Sequence, residues 1–467
     1  MMIPLILAVG LSIDYTRHTS AHKHLQEIAD AAALALAATE DRDENRLRDL
    51  ALDHVRANNN ASRLQDIQIL KLDFADDQVT VDLEGAIQAT FMSIAGYERL
   101  PVAAGAVAER AIRGNAEIAL ILDNTWSMSA RDAGGRSRIE MLKSAASNLV
   151  REVLSENDGS VRIGLVPYAE YVNVGTHLRN ASWLSVPDDY TEPGGAQTCE
   201  TRTTRTECVE REPTYACTRV VDGISEPATC GGGCRRSETQ TVPPYQQCSG
   251  GSGARDYRWY GCVGSRTVAD ARLRVDRLDI RYPGYVERSQ NCLSRIMPLT
   301  NDRNALLSAI DGMVVNVGSY RPYTYIPSGL IWGFNLLNPG EPFASAEQFD
   351  PANVRPRKVA VLMTDGENTL RINHADGRHV RFSGSAIQQA NQLAATNQDS
   401  LSICENMKAK GIEVFTVAFM VTDPDARRLM EECATDRSHY FNATDANQLL
   451  AAFSDIARSL RVVRLTR

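Results

Sequence analysis

What this chain lacks narrows its class before any motif is found. Its 467 residues contain no long basic run and carry a formal net charge of -8, so a nucleic-acid surface has no electrostatic footing. A hydrophobic stretch of membrane-spanning length is also missing. Met1 to Ile13 is apolar and uncharged, but a spanning helix needs about twenty such residues. No basic residue precedes that run and no clear small-residue cleavage site follows it, which argues against a signal peptide. The expectation is an anchor helix whose front lies outside the sequence, although Arg17 and Lys23 behind the run oppose it by the positive-inside tendency. Nucleophile chemistry is equally absent. No serine, cysteine or carboxylate pair forms a recognisable catalytic arrangement, and a metal-dependent hydrolase would have to use His374 or His379 as its base. A histidine in a polar loop is more commonly a solvated surface residue.

What is present is ample for folding. Hydrophobic residues make up 43% of the chain, enough for real cores, and the length suits about three domains. Ten cysteines stand out. Cys199, Cys208, Cys217, Cys230, Cys234, Cys248 and Cys262 lie in residues 180–291, a Gly-, Thr-, Arg- and Pro-rich segment nearly empty of aliphatic clusters, and Cys292 closes it. Such a segment cannot hold itself together by burial, so the cysteines read as disulfides in an oxidising compartment. Zinc is the rival reading: Cys230-x-x-x-Cys234 has ligand spacing, but no second close pair or histidine pair completes a tetrahedral set. Cys404 and Cys433 stand apart from the cluster and are expected to pair with each other; the pairing of the other eight is not readable.

The most informative stretch is E-I-A-L-I-L-D-N-T-W-S-M-S, from Glu117 to Ser129. Ile118 to Leu122 is an uninterrupted apolar run, which fits a parallel strand buried on both faces. Asp123 ends it, and Thr125 and Ser127 follow at alternate positions. A carboxylate there is costly to desolvate without a charged partner, and hard oxygens on one short loop suit Mg²⁺ or Mn²⁺. The plainer alternative is a helix-capping turn. Two further segments carry matching chemistry: the loop at Thr324, opening an apolar helical stretch, and the strand from Val359 to Met363 that runs into Thr364-Asp365-Gly366. In open α/β sheets such loops meet beyond the carboxyl ends of the strands, at the switch point in strand order.

Asp123-x-Thr125-x-Ser127, Thr324 and Thr364-Asp365-Gly366 together resemble the metal-ion-dependent adhesion site of von Willebrand factor A domains. The resemblance spans roughly residues 115–460. It implies a doubly wound, mostly parallel α/β sheet of Rossmann type, a divalent ion held by Asp123, Thr125, Ser127, Thr324 and Asp365, and a sixth position left for a partner's carboxylate. Thr125 stands where serine is usual, which keeps the hydroxyl and adds a methyl. Trp126 would lie beside the ion on the ligand face.

A narrower resemblance covers the whole chain. The apolar start, L-Q-E-I-A-D-A-A-A-L-A, and then L-D-N-T-W-S-M-S, V-P-Y, P-L-T, T-Y-I-P-S-G-L-I-W-G and M-T-D-G-E-N-T in order look like TadG-type proteins of tight-adherence (Flp-type) pilus assembly. The organisation expected is an anchor helix over residues 1–24, a small α+β domain over 25–113, an A-like domain over 114–467 and the Cys-rich insertion at 180–291. In the small domain, Leu25, Ala29, Ala32 and Leu36 mark one helix, Leu47, Leu50, Ala51 and Val55 a second, and the alternation from Val79 to Phe91 two short strands or one kinked strand.

The function these readings imply is a non-enzymatic, membrane-anchored periplasmic component of pilus assembly or secretion that binds a protein partner through the metal. A surface adhesin using the same site is the alternative. The strand from Val161 to Ala169 should run parallel to the Asp123 strand, so the insertion leaves on the face of the metal loop. It is expected to form one wall of the partner surface near Trp126.

Overall fold

The computed structural model describes residues 2–39, 44–59, 64–74, 78–109, 116–132, 134–154, 161–277, 279–350, 356–460 and 465–466. They form two compact units: residues 1–115 with 458–467, and residues 116–457.

In the first unit the anchor and the alanine-rich helix are one element. Met2–Ala38 is a single α-helix that runs through residues 24 and 25. The reason is local: beyond Gly10 the helix contains no glycine or proline, and its alanines are the strongest helix formers. Leu25, Ile28, Ala29, Ala32 and Leu36 are fully buried at helical spacing. They pack with Val79, Val81, Leu83, Ala104, Ala106 and Ala108 of an antiparallel sheet. Residues 78–88 make one strand rather than two, with Val79, Val81, Leu83 and Ile87 buried in alternation. Its neighbours, Gln65–Asp73 and Arg99–Glu109, show too little apolar alternation in sequence to be foreseen. Earlier in the long helix Asp14 is fully buried. Its carboxylate accepts the backbone N–H groups of Thr90, Phe91 and Met92 at 3.1, 2.8 and 2.8 Å. Among the described residues no helix is long and apolar enough to cross a membrane.

The second unit is built on a six-stranded sheet. Its order is Met297–Thr300, Val161–Tyr168, Ala116–Asp123, Arg357–Thr364, Ile412–Phe419, Tyr440–Ala443. The first strand pairs antiparallel and the other pairs are parallel. Ile118 to Leu122 is fully buried, residues of both parities alike, as an uninterrupted apolar run requires. The chain moves from Ala116–Asp123 outward in one direction and later returns to start Arg357–Thr364 on its other side. That is the switch point, and Asp123 and Thr364 sit at its two carboxyl ends.

Glycine sets how closely the Thr324 segment can approach this sheet. Helix Ile326–Leu337 is buried along its whole length. A Cβ on Gly329 would lie 2.6 Å from the Tyr168 ring, and one on Gly333 would lie 2.2 Å from Ile121 Cδ1. These two positions, one turn apart, let the helix backbone lie directly on strands Val161–Tyr168 and Ala116–Asp123 and bring Thr324 to their ends.

The insertion differs from the expectation of a segment braced by disulfides alone. Its flanks are part of the main core: Trp183, Leu184, Trp259, Val263 and Tyr282 are buried with Trp332 of the central helix. Trp332 lies 5.7 Å from Trp183 and 4.8 Å from Tyr282 between ring centroids. Large aromatics spaced far apart in sequence supply this core, and no aliphatic cluster announces it. Between the flanks, two exposed hairpins project: Gln197–Arg211 with Cys234–Gly250, and Tyr215–Val221 with Ile224–Cys230. Disulfides Cys199–Cys248, Cys208–Cys234 and Cys217–Cys230 staple them, and Cys262–Cys292 ties the flanks. Cys230 and Cys234 thus bond elsewhere and form no zinc pair. Cys404 and Cys433 pair with each other.

Candidate metal centre

Each loop is shaped before it meets the others. The Asp123 carboxylate accepts the Thr125 N–H at 2.9 Å, turning the chain immediately after the strand. Trp126 N–H donates to Pro322 O at 3.1 Å, which joins the first loop to the second. Thr324 N–H donates to Thr369 Oγ1 at 2.8 Å and Thr369 N–H donates to Thr324 O at 2.9 Å, which joins the second loop to the third. Asn368 Oδ1 caps the Thr324 helix by accepting the Ile326 N–H at 2.7 Å.

The five predicted residues belong to one hydrogen-bonded network. Thr125 Oγ1 lies 2.8 Å from Ser127 Oγ, and Ser127 Oγ donates to Asp365 Oδ1 at 2.6 Å. Asp123 Oδ2 accepts from Thr364 Oγ1 at 2.7 Å and from Tyr168 OH at 3.4 Å. Thr324 enters through a residue the sequence did not single out, Asp222. Its carboxylate accepts the Ser127 N–H at 2.9 Å on one oxygen and Thr324 Oγ1 at 3.2 Å on the other. Thr125 is fully buried, so its extra methyl is accommodated. Trp126 is half-buried, and the Arg321 guanidinium sits 4.5 Å above its ring.

The electrostatics are lopsided. Asp123, Asp222 and Asp365 are all buried, and among the described residues one cation pairs with them: Arg138, whose Nη1 lies 2.8 Å from Asp365 Oδ2. Arg138 is the first residue of helix Arg138–Val153, held in place by the Ser137–Glu140 capping box. Burial and the Asp365 charge push the Asp123 carboxyl up; burial also raises Asp365, opposed by Arg138. Asp222 is pushed up to about 6 by burial, against the pull of the Ser127 N–H. Three buried acids facing one arginine favour any added positive charge.

The donor set is hard oxygen, from carboxylates and hydroxyls, as Mg²⁺ or Mn²⁺ prefers. Among the described residues no group of three or more His, Cys, Asp and Glu side chains is placed to hold an ion, so a site here depends on the hydroxyls of Thr125, Ser127 and Thr324. The two histidines weighed as bases stand in different settings. His374 is exposed. His379 is buried rather than solvated: it lies 2.8 Å from Ser265 Oγ, contacts the Glu170 carbonyl, stacks on Tyr171 and Tyr325, and is held down to about 3 by burial. Sequence reasoning missed Arg138, Tyr168 and Asp222. The first two are ordinary helix and strand residues by pattern, and Asp222 lies in a segment with no periodicity to read.

An α/β unit with carboxylate and hydroxyl side chains gathered at its strand switch point is the class this geometry defines. Residues 1–40 match the family model described as putative Flp pilus-assembly TadE/G-like. The match bears out the TadG-type resemblance where it falls, in the N-terminal segment. Solved structures similar to the chain include the pilus adhesin SpaC from Lactobacillus rhamnosus GG, at 13% identity and a TM-score of 0.35, with 85% of this chain and 34% of that one covered. The chain therefore spans about a third of SpaC. The vWF domain of the type V pili tip protein Mfa5 from Porphyromonas gingivalis is similar at 12% identity and a TM-score of 0.36, covering 74% and 95%. Proximal thread matrix protein 1 from the mussel byssus, with a zinc-occupied MIDAS motif, is similar at 12% identity and a TM-score of 0.31, covering 74% and 47%. No curated protein matches the chain.

Proposed function

We propose that this chain is a non-enzymatic component of Flp/Tad-type pilus assembly or secretion, and that its second unit is a doubly wound, von Willebrand A-like domain that captures a protein partner through a divalent ion. Asp123, Thr125, Ser127, Thr324 and Asp365 hold the ion, directly or through water, and a carboxylate completes its coordination. The observation that carries this reading is the charge imbalance at the switch point, where, among the described residues, three buried carboxylates meet one paired cation, Arg138. When bound, the ion supplies an electrostatic bridge, strongest where water is excluded. The chain's residues do the positioning: Thr364 and Tyr168 orient Asp123, Arg138 orients Asp365, and Thr369 fixes the Thr324 backbone.

The TadE/G-like segment supports the pilus assignment. The five disulfides support a periplasmic body, with the N-terminal helix directed to the inner membrane. Calorimetric titration with Mg²⁺ tests the site. The wild type should bind and gain melting temperature, and Asp123→Ala should do neither. A wild type that shows no Mg²⁺ heat and no thermal shift reduces the loop to a capping turn.

A further inference from the structure

We infer that the metal site carries its own carboxylate ligand, Asp222, delivered by the tip of a stapled hairpin that any outside carboxylate has to displace. The inference rests on the metal reading above and adds to it a residue and a mode of control.

The hairpin is built to present that residue. Tyr215–Val221 and Ile224–Cys230 pair antiparallel in unbroken register, with Val221 opposite Ile224. The two-residue connection is Asp222-Gly223, with φ of 47° and 74°, the left-handed pair that tight hairpins need and that aspartate and glycine tolerate. Disulfide Cys217–Cys230 crosses the two strands. Most of both strands is exposed, Tyr215 at 62% and Val220 at 57%, yet Val221 is 8% and Asp222 5% exposed. The tip alone is inserted.

Its insertion is electrostatically unfavourable without a cation. A hairpin-tip aspartate in water is fully solvated, whereas here its carboxylate is buried, and among the described residues no cation pairs with it. What it gains is bonds to the loops that carry the expected ligands: the Ser127 N–H and Thr324 Oγ1, with Thr369 Oγ1 at 3.4 Å. A neutral hydroxyl lining does not offset a third buried acid. A divalent ion does, and the partner carboxylate expected at the sixth position has the same chemistry as Asp222. A second tie holds the hairpin at the mouth: Glu226 pairs with Arg321, which stacks on Trp126. An intramolecular carboxylate competes at an effective concentration on the order of millimolar, so a weak outside carboxylate does not enter unaided.

The test uses the full chain and Mn²⁺, followed by calorimetry and by water-proton relaxation, with acetate as the carboxylate probe. Asp222→Ala should bind Mn²⁺ about 10 to 100-fold more weakly, the range seen when groups supporting a metal are removed. Its bound Mn²⁺ should relax water more strongly than in the wild type, through an added water ligand, and acetate should reverse that gain. In the wild type acetate should have no effect. Asp222→Asn keeps the shape of the side chain and guards against misfolding. It should also bind Mn²⁺ more weakly, and hydrogen exchange should show the 221–224 amides protected by Mn²⁺ in the wild type and not in this variant. If both variants match the wild type in affinity, relaxation and acetate response, Asp222 is no ligand and the inference falls alone. If the wild type binds no Mn²⁺, the metal reading falls and takes this one with it.

Discussion

The two ends of the central strands Ala116–Asp123 and Arg357–Thr364 both carry buried acids, and they are balanced differently. At the amino ends Glu117 is fully buried against Lys358 Nζ at 2.9 Å and Arg162, while Arg162 also meets Glu347 at 3.0 Å. Two acids face two bases there. Lys358 donates further to the Leu337 and Glu347 carbonyls at 2.7 and 2.6 Å, and Glu117 accepts the Glu347 N–H at 2.7 Å. At the carboxyl ends, among the described residues, three acids face one base. A closed set of charges is a structural device, whereas an open set of buried acids favours an added cation. That difference, more than the presence of acids, separates the candidate site from the rest of the sheet.

Breaking the balanced end should have the largest effect on stability and none on the ion. Lys358→Met leaves Glu117 buried with a weakened partner set and should cost about 3–5 kcal/mol in chemical denaturation. Mn²⁺ affinity of the folded fraction should be unchanged. Removing the Cys404–Cys433 bridge by paired alanines should cost less, about 2–4 kcal/mol, again without changing ion affinity. Gly333→Ala tests the path between the two ends. The added methyl meets Ile121, and overpacking of about 1–3 kcal/mol is offset by up to about 1 kcal/mol of helix propensity. Because the helix carries Thr324, this variant alone of the three should also weaken Mn²⁺ binding.

A different kind of effect concerns pH. His379 has its folded pKa depressed to about 3, so between its ordinary value near 6.5 and that pH the unfolded chain binds a proton the folded chain refuses. Stability contributed by this group therefore falls as pH drops through that window, by at most about 1.4 kcal/mol per pH unit. Glu170, pushed up to about 7 by burial, titrates with the opposite sign between about 4.5 and 7. The difference between the wild type and His379→Gln isolates the histidine: the variant should lose the acid-side slope assigned to it, and parallel curves would assign the slope elsewhere.

Much of the site was legible because its signals are local. An apolar run ending in aspartate, with hydroxyls two and four positions on, can be read without knowing the fold, and so can Thr364-Asp365 after a second such run. What escaped reading was non-local. Asp222 is one acid among many in an aperiodic segment, and its place follows from hairpin pairing and from core flanks made of scattered aromatics. The cysteine pairing escaped for the same reason, save for Cys404 and Cys433, which stand outside the cluster. The continuous Met2–Ala38 helix was obscured by a change in composition, apolar and then alanine-rich, that does not coincide with a change in conformation.

The most direct test of the open-charge account is anomalous diffraction from crystals grown with Mn²⁺. The account predicts a Mn²⁺ peak enclosed by Ser127, Thr324 and Asp222, with Asp123 and Asp365 behind it, and none at the Glu117 end of the same strands. Absence of a peak among these residues at saturating Mn²⁺, with the three carboxylates still buried together, would contradict it.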